Sequence, residues 1–442
     1  MKVIIIGGGL AGSEAALQLA ARGIKVDLYE MRPYKSTGAH KTDYLAEIVC
    51  SNSLGSNDTG VGSGLLKQEL RLLKSYLISA ADEAQIPAGN ALAVDRDIFS
   101  KKITELVRLN PNINVINQEI EEIPQNVPVI IASGPLTSDK LSEDIARFTG
   151  VERLYFFDAI APVIEKDSID FDIAFTANRY DKGEACYINC PMNEEEYNKF
   201  YEILTNAPKI ELKDFEANDI HKNNFFESCM PVEVIASRGK DTLRFGPMKP
   251  VGLPDPKTNA EAYAVVQLRQ DNMAATLYNL VGFQTNLKWG AQKELIQSIP
   301  GLENASIVKY GVMHRNTFIS SPQVLAPTLQ TKARADLFFA GQLTGVEGYT
   351  ESIATGMLAG INMARYLAGK ELLKLDSISM LGALCSYITF DKHKHFQPIN
   401  SNWGILDSIE MERKQRKDKK LKNRLLGERA LTYINSLLEG LE

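Results

Sequence analysis

The chain opens on a short apolar run, Lys2–Ile6, which Gly7-Gly8-Gly9 cuts off. Beyond the glycines, Ala15, Ala16, Leu19 and Ala20 fall on one face of a 3.6-residue period. This pattern predicts a strand at Lys2–Ile6, a glycine turn, a helix at Ser13–Arg22 closed by Gly23, and a second strand at Lys25–Glu30. A polar, glycine- and serine-rich stretch, Ser51 to Gly64, comes next, and Leu66, Leu70, Leu73, Leu77 and Ala81 then recur at helical spacing. They predict one amphipathic helix over Leu65–Ala84. Val127–Ala132 reads as a buried strand closed by Ser133-Gly134-Pro135. Between about Val151 and about Glu303, short β-branched and aromatic runs alternate with polar turns, the pattern of a mixed or antiparallel sheet. The strand-helix rhythm returns with a strand at Leu337–Ala340, a glycine-rich turn and a helix at Thr350–Ala368. The expected architecture is α/β. A Rossmann-like, doubly wound nucleotide-binding domain is built from residues 1–150 and 304–442, with a mixed α+β domain, 151–303, inserted on the substrate side.

Gly7-Gly8-Gly9-Leu10-Ala11-Gly12 satisfies G-x-G-x-x-G between a strand and a helix. Gly7 allows the tight turn, Gly9 lets the backbone approach a pyrophosphate, and Gly12 permits close packing of helix on strand. Free N–H groups and the helix dipole favour the phosphate charge. Glu30 ends the second strand, where a carboxylate can accept hydrogen bonds from ribose hydroxyls. The turn alone leaves NAD, FAD and S-adenosylmethionine open. Two further segments favour flavin. Ile130-Ile131-Ala132-Ser133-Gly134 resembles the strand that marks the crossing into the second domain of two-dinucleotide-binding-domain flavoproteins, the class of glutathione reductase. Leu337–Gln342, with Gly341, then Gly345, Gly348 and Tyr349 ahead of a helix, resembles their C-terminal motif, where a helix N-terminus faces the flavin pyrimidine ring. Glu347, Tyr349 and Glu351 share that turn and are candidates for proton transfer. FAD is the expected cofactor.

The apolar start is far too short to span a bilayer and lacks a cleavage pattern, so neither a membrane segment nor a signal peptide is expected. Five cysteines, Cys50, Cys186, Cys190, Cys229 and Cys385, are an odd number scattered along the chain, which points to reduced thiols in a cytoplasm. Cys186 and Cys190 lack a second Cys/His pair at zinc spacing, so no metal is expected. Cys50 and Cys229 differ from ordinary buried cysteines, because polar neighbours and turns place both in loops.

Leu45–Leu54, Phe225–Gly239, Tyr310–Thr317 and Phe339–Gly356 closely resemble the folate- and FAD-dependent tRNA (uracil-5-)-methyltransferases. The resemblance runs from the first strand to about Gly369. It extends more distantly to larger flavoproteins that modify the tRNA wobble uridine and carry an extra C-terminal helical domain, for which this chain has no room. In that family the methyl carbon comes from 5,10-methylenetetrahydrofolate, the electrons from NADPH or NADH through FAD, and the acceptor is C5 of the T-loop uridine. Uracil C5 becomes nucleophilic only after something adds to C6, and a thiolate both adds well and leaves well. The resemblance assigns the nucleophile to Cys229 and makes Cys50 the second active-site cysteine, as general base, guard or adduct partner. It places His314 over the folate pterin, with Arg315 and Asn316 orienting the folate. The alternatives are the same chemistry on a ribosomal RNA uridine, a plain NAD(P)H-dependent flavin oxidoreductase, and a non-catalytic RNA-binding flavoprotein.

Net charge bears on the RNA partner. At −6 the global field repels nucleic acid, so a local basic surface is needed. Eight of the twelve residues from Arg413 to Arg424 are Lys or Arg, interrupted by a single acid, Asp418. A charge run is usually a solvated helix face. Here it is also the expected RNA contact, through Lys417, Lys419 and Lys420.

Overall fold

The computed structural model describes residues 2–150, 154–181, 185–210, 230–257, 259–393, 396–411 and 418–440; within them the side chains of 154–158, 181, 314, 315 and 439 are not described. Its nucleotide-binding part is a five-stranded parallel sheet. The strand order is Leu337–Phe339, Val129–Ile131, Lys2–Ile6, Lys25–Glu30 and Ile113–Asn117. The first strand is central, so its glycine turn emerges at mid-sheet, and the strand at 337–339 pairs with Val129–Ile131 across some two hundred residues of intervening chain. That pairing makes the two ends of the sequence one sheet.

The helix after the glycine turn runs over Leu10–Ala21 and starts directly on Leu10, three residues before the expected start. Every residue from Leu10 to Ala20 is buried, because the helix is covered on its outer side by a second one, Tyr349–Leu367. The contact is backbone-close: a Cβ on Gly356 would lie 2.3 Å from the Ala11 carbonyl oxygen, and one on Gly360 would lie 2.9 Å from that of Ala15. Small residues one turn apart on both helices thus lock the flavin-side helix onto the glycine-turn helix.

The single helix expected over Leu65–Ala84 is two helices, Gly62–Leu72 and Tyr76–Glu83. Lys74 adopts φ +61 between them. The leucine period continues through the break because both helices bury the same face. The break is held by capping: Ser75 Oγ accepts from the Ile78 N–H at 3.3 Å, and buried Glu14 accepts from Ser75 Oγ and the Leu77 N–H, each at 2.9 Å.

The second part is a six-stranded, wholly antiparallel sheet, ordered Phe175–Thr176, Tyr187–Met192, Ala264–Gln270, Leu277–Leu280, Val163–Glu165 and Ile307–Lys309. Its own core gathers Tyr197, Phe200, Phe283 and Leu287. Two crossing strands, Leu154–Ala159 and Met313–Phe318, pair antiparallel as a ribbon between the sheets. Among the described residues no helix is long and apolar enough to cross a membrane.

Candidate active site

A cleft with about 1050 Å³ of space, open solvent included, lies at the C-terminal edge of the parallel sheet. Gly7, Gly9, Leu10, Ala11, Glu30, Gly134, Gly341, Gln342 and Tyr349 line it. The three turn glycines are glycine for different reasons. A Cβ on Gly7, where φ is +103, would sit 2.5 Å from the Ala132 carbonyl oxygen, and one on Gly12 would sit 1.9 Å from that of Gly7. A Cβ on Gly9 would meet no protein atom within 4 Å. The protein closes around Gly7 and Gly12 but leaves open space above Gly9, at a helix N-terminus that has no side-chain cap. A dinucleotide pyrophosphate fits that cradle.

Gly8 and Gly12 do not line the cleft; they build it. The Gly8 N–H donates to Glu30 Oε2 at 2.9 Å, and Glu30 Oε1 accepts from both the backbone N–H (3.1 Å) and Nε (2.9 Å) of Arg32. Burial is the largest influence on Glu30 and opposes ionisation, but the Arg32 and Gly8 contacts together outweigh it and hold the carboxyl below its ordinary value. Arg32 also reaches Glu47 at 3.2 Å. Gly348, at φ +122, lies outside the cleft lining and precedes the helix Tyr349–Leu367. In the same turn Glu347 accepts from Gln342 Nε2 at 2.6 Å, and Glu351 is held by the Ser401 N–H at 2.9 Å. Fully buried Lys67 donates to the Leu54 carbonyl at 2.7 Å; desolvation lowers its ammonium to about 8 against the pull of Glu351.

Cys50 sits where the two sheets meet. Its N–H donates to the Tyr349 hydroxyl at 2.7 Å, its thiol points to the Ala159 carbonyl at 3.5 Å, and its own carbonyl accepts from Arg96 at 3.3 Å. The following residues are fastened to the antiparallel sheet: Arg269 donates to Ser51 Oγ at 2.7 Å and to Asn52 Oδ1 at 3.2 Å, and buried Asn52 donates to the Gln270 carbonyl at 3.0 Å. Arg96 pairs with Asp271 at 2.9 Å. Lys309 donates to the Val49 carbonyl at 3.1 Å; desolvation first, then the charges of Arg96 and Lys41, lower its ammonium to about 8, with Asp271 and Cys50 opposing. A half-buried thiol is thus presented beside the flavin-side helix by a braced polar cluster. Cys190 and Cys385 are core residues, and burial pushes both thiols up, Cys385 to about 12.

Residues 2–371 match the family model described as GIDA, glucose inhibited division protein A. A curated relative from Anoxybacillus flavithermus, named methylenetetrahydrofolate--tRNA-(uracil-5-)-methyltransferase TrmFO, is 57% identical over 441 residues, covering 100% of both chains. One of the same name from Halalkalibacterium halodurans is 58% identical over 435 residues, covering 98% of each. The chain belongs to the TrmFO family. Its fold is shared with GidA of Aquifex aeolicus, whose form II crystal structure superposes with a TM-score of 0.71 at 19% identity over 100% of this chain and 73% of that one.

The remaining candidate residues are the three folate positions, Cys229 and the three lysines of the basic run. His314, Arg315 and Asn316 lie on the ribbon strand Met313–Phe318, in register with Asp158, Phe157 and Phe156; Asn316 is buried, and the side chains of His314 and Arg315 lie outside the described residues. Cys229 and Lys417 also lie outside them. Lys419 and Lys420 open the helix Lys419–Leu437 and are exposed. Sequence reasoning missed Arg32, whose signal was its place two residues after Glu30. It also missed Arg96, Arg269 and Lys309, which carry no local signal because their partners are distant in sequence.

Proposed function

We infer that this chain is a folate- and FAD-dependent tRNA (uracil-5-)-methyltransferase. It moves the one-carbon unit of 5,10-methylenetetrahydrofolate to C5 of a tRNA uridine and reduces it to methyl at the expense of NADPH or NADH. The observation that carries this reading is the 57% identity, over the full length of both chains, to a relative named for that reaction. The resemblance stated above narrows the acceptor to the T-loop uridine. Five cysteines, an odd number scattered along the chain, and a tRNA substrate support a cytoplasmic location.

FAD, when bound, supplies the two-electron reduction. The protein's own residues do the rest. Gly7 and Gly9 with the N-terminus of Leu10–Ala21 would receive the pyrophosphate, Glu30 would serve the ribose end, and Gly341, Gln342 and Tyr349, which line the same cleft, would take the ring end. Cys229 thiolate adds to uracil C6, and the electron pair of the C5–C6 double bond makes C5 an enolate nucleophile. C5 then forms the bond to the folate methylene carbon as one of that carbon's two C–N bonds opens, and loss of the C5 proton expels tetrahydrofolate through the other, leaving an exocyclic methylene on the base. After reduction of the exocyclic carbon, the Cys229–C6 bond breaks and the thiolate leaves. Cys50, hung from Tyr349 and Arg96, is the second thiol of the site. His314 covers the pterin, and Arg315 and Asn316 orient the folate. Purified enzyme given methylenetetrahydrofolate, NADPH and RNA is expected to methylate unmodified tRNA; methylation of ribosomal RNA with tRNA left unchanged would transfer the acceptor to the ribosome.

Lys419, Lys420 and Lys422 lie in or next to the first turn of their helix, where the dipole disfavours positive charge, and Asp418 caps it by accepting from the Leu421 N–H at 3.0 Å. Cations kept at such a position support a phosphate-binding role. Reversing the charge of Lys417, Lys419 and Lys420 should raise the tRNA Kd and flatten its dependence on salt by about one log unit per lost phosphate contact. An unchanged salt slope would remove this helix from the interface.

A further inference from the structure

The helix Trp289–Gln297 begins on a tryptophan left in the open. Trp289 is 60% exposed, yet its ring is braced: it stacks on Tyr310 with centroids 5.4 Å apart and planes 18° from parallel. Buried Gln292 fixes the geometry. Its amide donates to the carbonyls of Leu287 (2.7 Å) and Gly311 (2.9 Å) and accepts from the Gly311 N–H (2.8 Å). Gly311 itself is pressed so close to Ile160 and Thr285 that a Cβ would lie 2.6 Å from an atom of each. An aromatic pair locked this way loses little freedom when a third ring settles on its outer face.

The position of the pair indicates what that ring is. Lys309, next to Tyr310, donates to the Val49 carbonyl beside Cys50. On the other side, the backbone leading into Trp289 is flanked by both described ends of the chain around Cys229. The Lys288 N–H donates to Pro208 at 2.9 Å, the Ile210 N–H to Asn286 at 2.9 Å, and the Val232 N–H to Gln284 at 2.7 Å. Exposed Lys288 and Lys293 lie one residue before and one helical turn after Trp289, Lys209 bridges to Leu287, and Glu294 is the one carboxylate on that helix.

We propose that Trp289 and Tyr310 form a stacking platform for a nucleobase of the RNA substrate, one adjacent to the target uridine, with these lysines facing its phosphates. This rests on the tRNA-methylating reading. An enzyme working on C5 and C6 of a base must take that base out of its stack, which leaves a neighbouring base face without a partner. An indole between Lys309, which reaches the Val49 carbonyl, and the backbone of 284–288, which bonds to residues 208–210 and 232, can replace that partner, and single-stranded RNA is commonly held in this way.

Full-length, FAD-loaded Trp289→Ala is the test. Stacking of one base is worth about 1–3 kcal/mol, so the variant should bind unmodified tRNA roughly 5- to 150-fold more weakly. The loss should fall on KM for tRNA more than on kcat, and Trp289→Phe should recover much of it. The chain has two tryptophans, so Trp403→Phe leaves Trp289 as the sole indole; titration with a single-stranded RNA oligonucleotide should then quench its emission. Equal tRNA affinity in Trp289→Ala and wild type, or no quenching on saturation with RNA, overturns the platform. Should Trp289→Ala lose its flavin, Trp289→Phe and the quenching titration decide in its place. Wild-type enzyme that binds no RNA at all sinks the methyltransferase reading and this placement with it, an outcome the wild-type titration separates from the others.

Discussion

Gly12→Ala is expected to give a colourless and poorly folded protein, and Gly9→Val a well-folded one that has lost its flavin. The two glycines are three residues apart in one turn, but their surroundings are opposite. At Gly12 the added carbon would fall 1.9 Å from the Gly7 carbonyl oxygen, which is backbone and cannot rotate away. Forcing the helix off the strand should cost at least about 3 kcal/mol, the upper end of ordinary overpacking, and would open the cradle as well. At Gly9 the backbone is extended, with φ −74 and ψ −167, a conformation valine adopts readily, and the side chain would enter empty space. Only a bound pyrophosphate would meet it. We expect FAD affinity to fall roughly a hundredfold, about 2.7 kcal/mol, with the thermal midpoint of the flavin-free protein unmoved. Flavin absorbance and a melting curve measure both; Gly9→Val with full FAD affinity would show that the pyrophosphate lies elsewhere.

The second large effect separates the cysteines. Cys229→Ala should stay yellow and lose methylation by at least about a thousandfold, the scale on which an enzyme loses rate when its nucleophile is removed. Without the C6 adduct, C5 has no electron density to capture the folate carbon. Cys50→Ala should also stay yellow, because Cys50 touches Tyr349 through its backbone N–H rather than its thiol, and it should lower methylation. Cys385→Ala is the control. That thiol is buried in the nucleotide-binding core, so its loss should lower stability and leave the rate of methylation as it was. An active Cys229→Ala variant would take this residue out of the chemistry.

The parallel sheet was legible because its signals are local: an apolar run, three glycines and a helical period within thirty residues. The break at Lys74–Ser75 was not, because the residue that stabilises it, Glu14, reaches Ser75 from 61 positions away while the leucine spacing runs on undisturbed. The cleft was legible at its glycines and at Glu30. The mounting of Cys50 was not: Tyr349 lies 299 residues from it, and Arg269 lies 218 from Ser51. The Gly356 and Gly360 contacts likewise read as an ordinary helix until the partner helix is known. The roles of Cys229, His314 and Arg315 come from the family resemblance alone, and that of Lys417 from the basic run around it.

The most direct measurement follows the carbon. Purified protein, unmodified tRNA and NADPH are combined either with 5,10-methylenetetrahydrofolate labelled at its methylene carbon or with methyl-labelled S-adenosylmethionine. Label should reach uracil C5 from the folate alone, and only when both FAD and NADPH are present. Label arriving from S-adenosylmethionine, or from folate without flavin, would contradict the account.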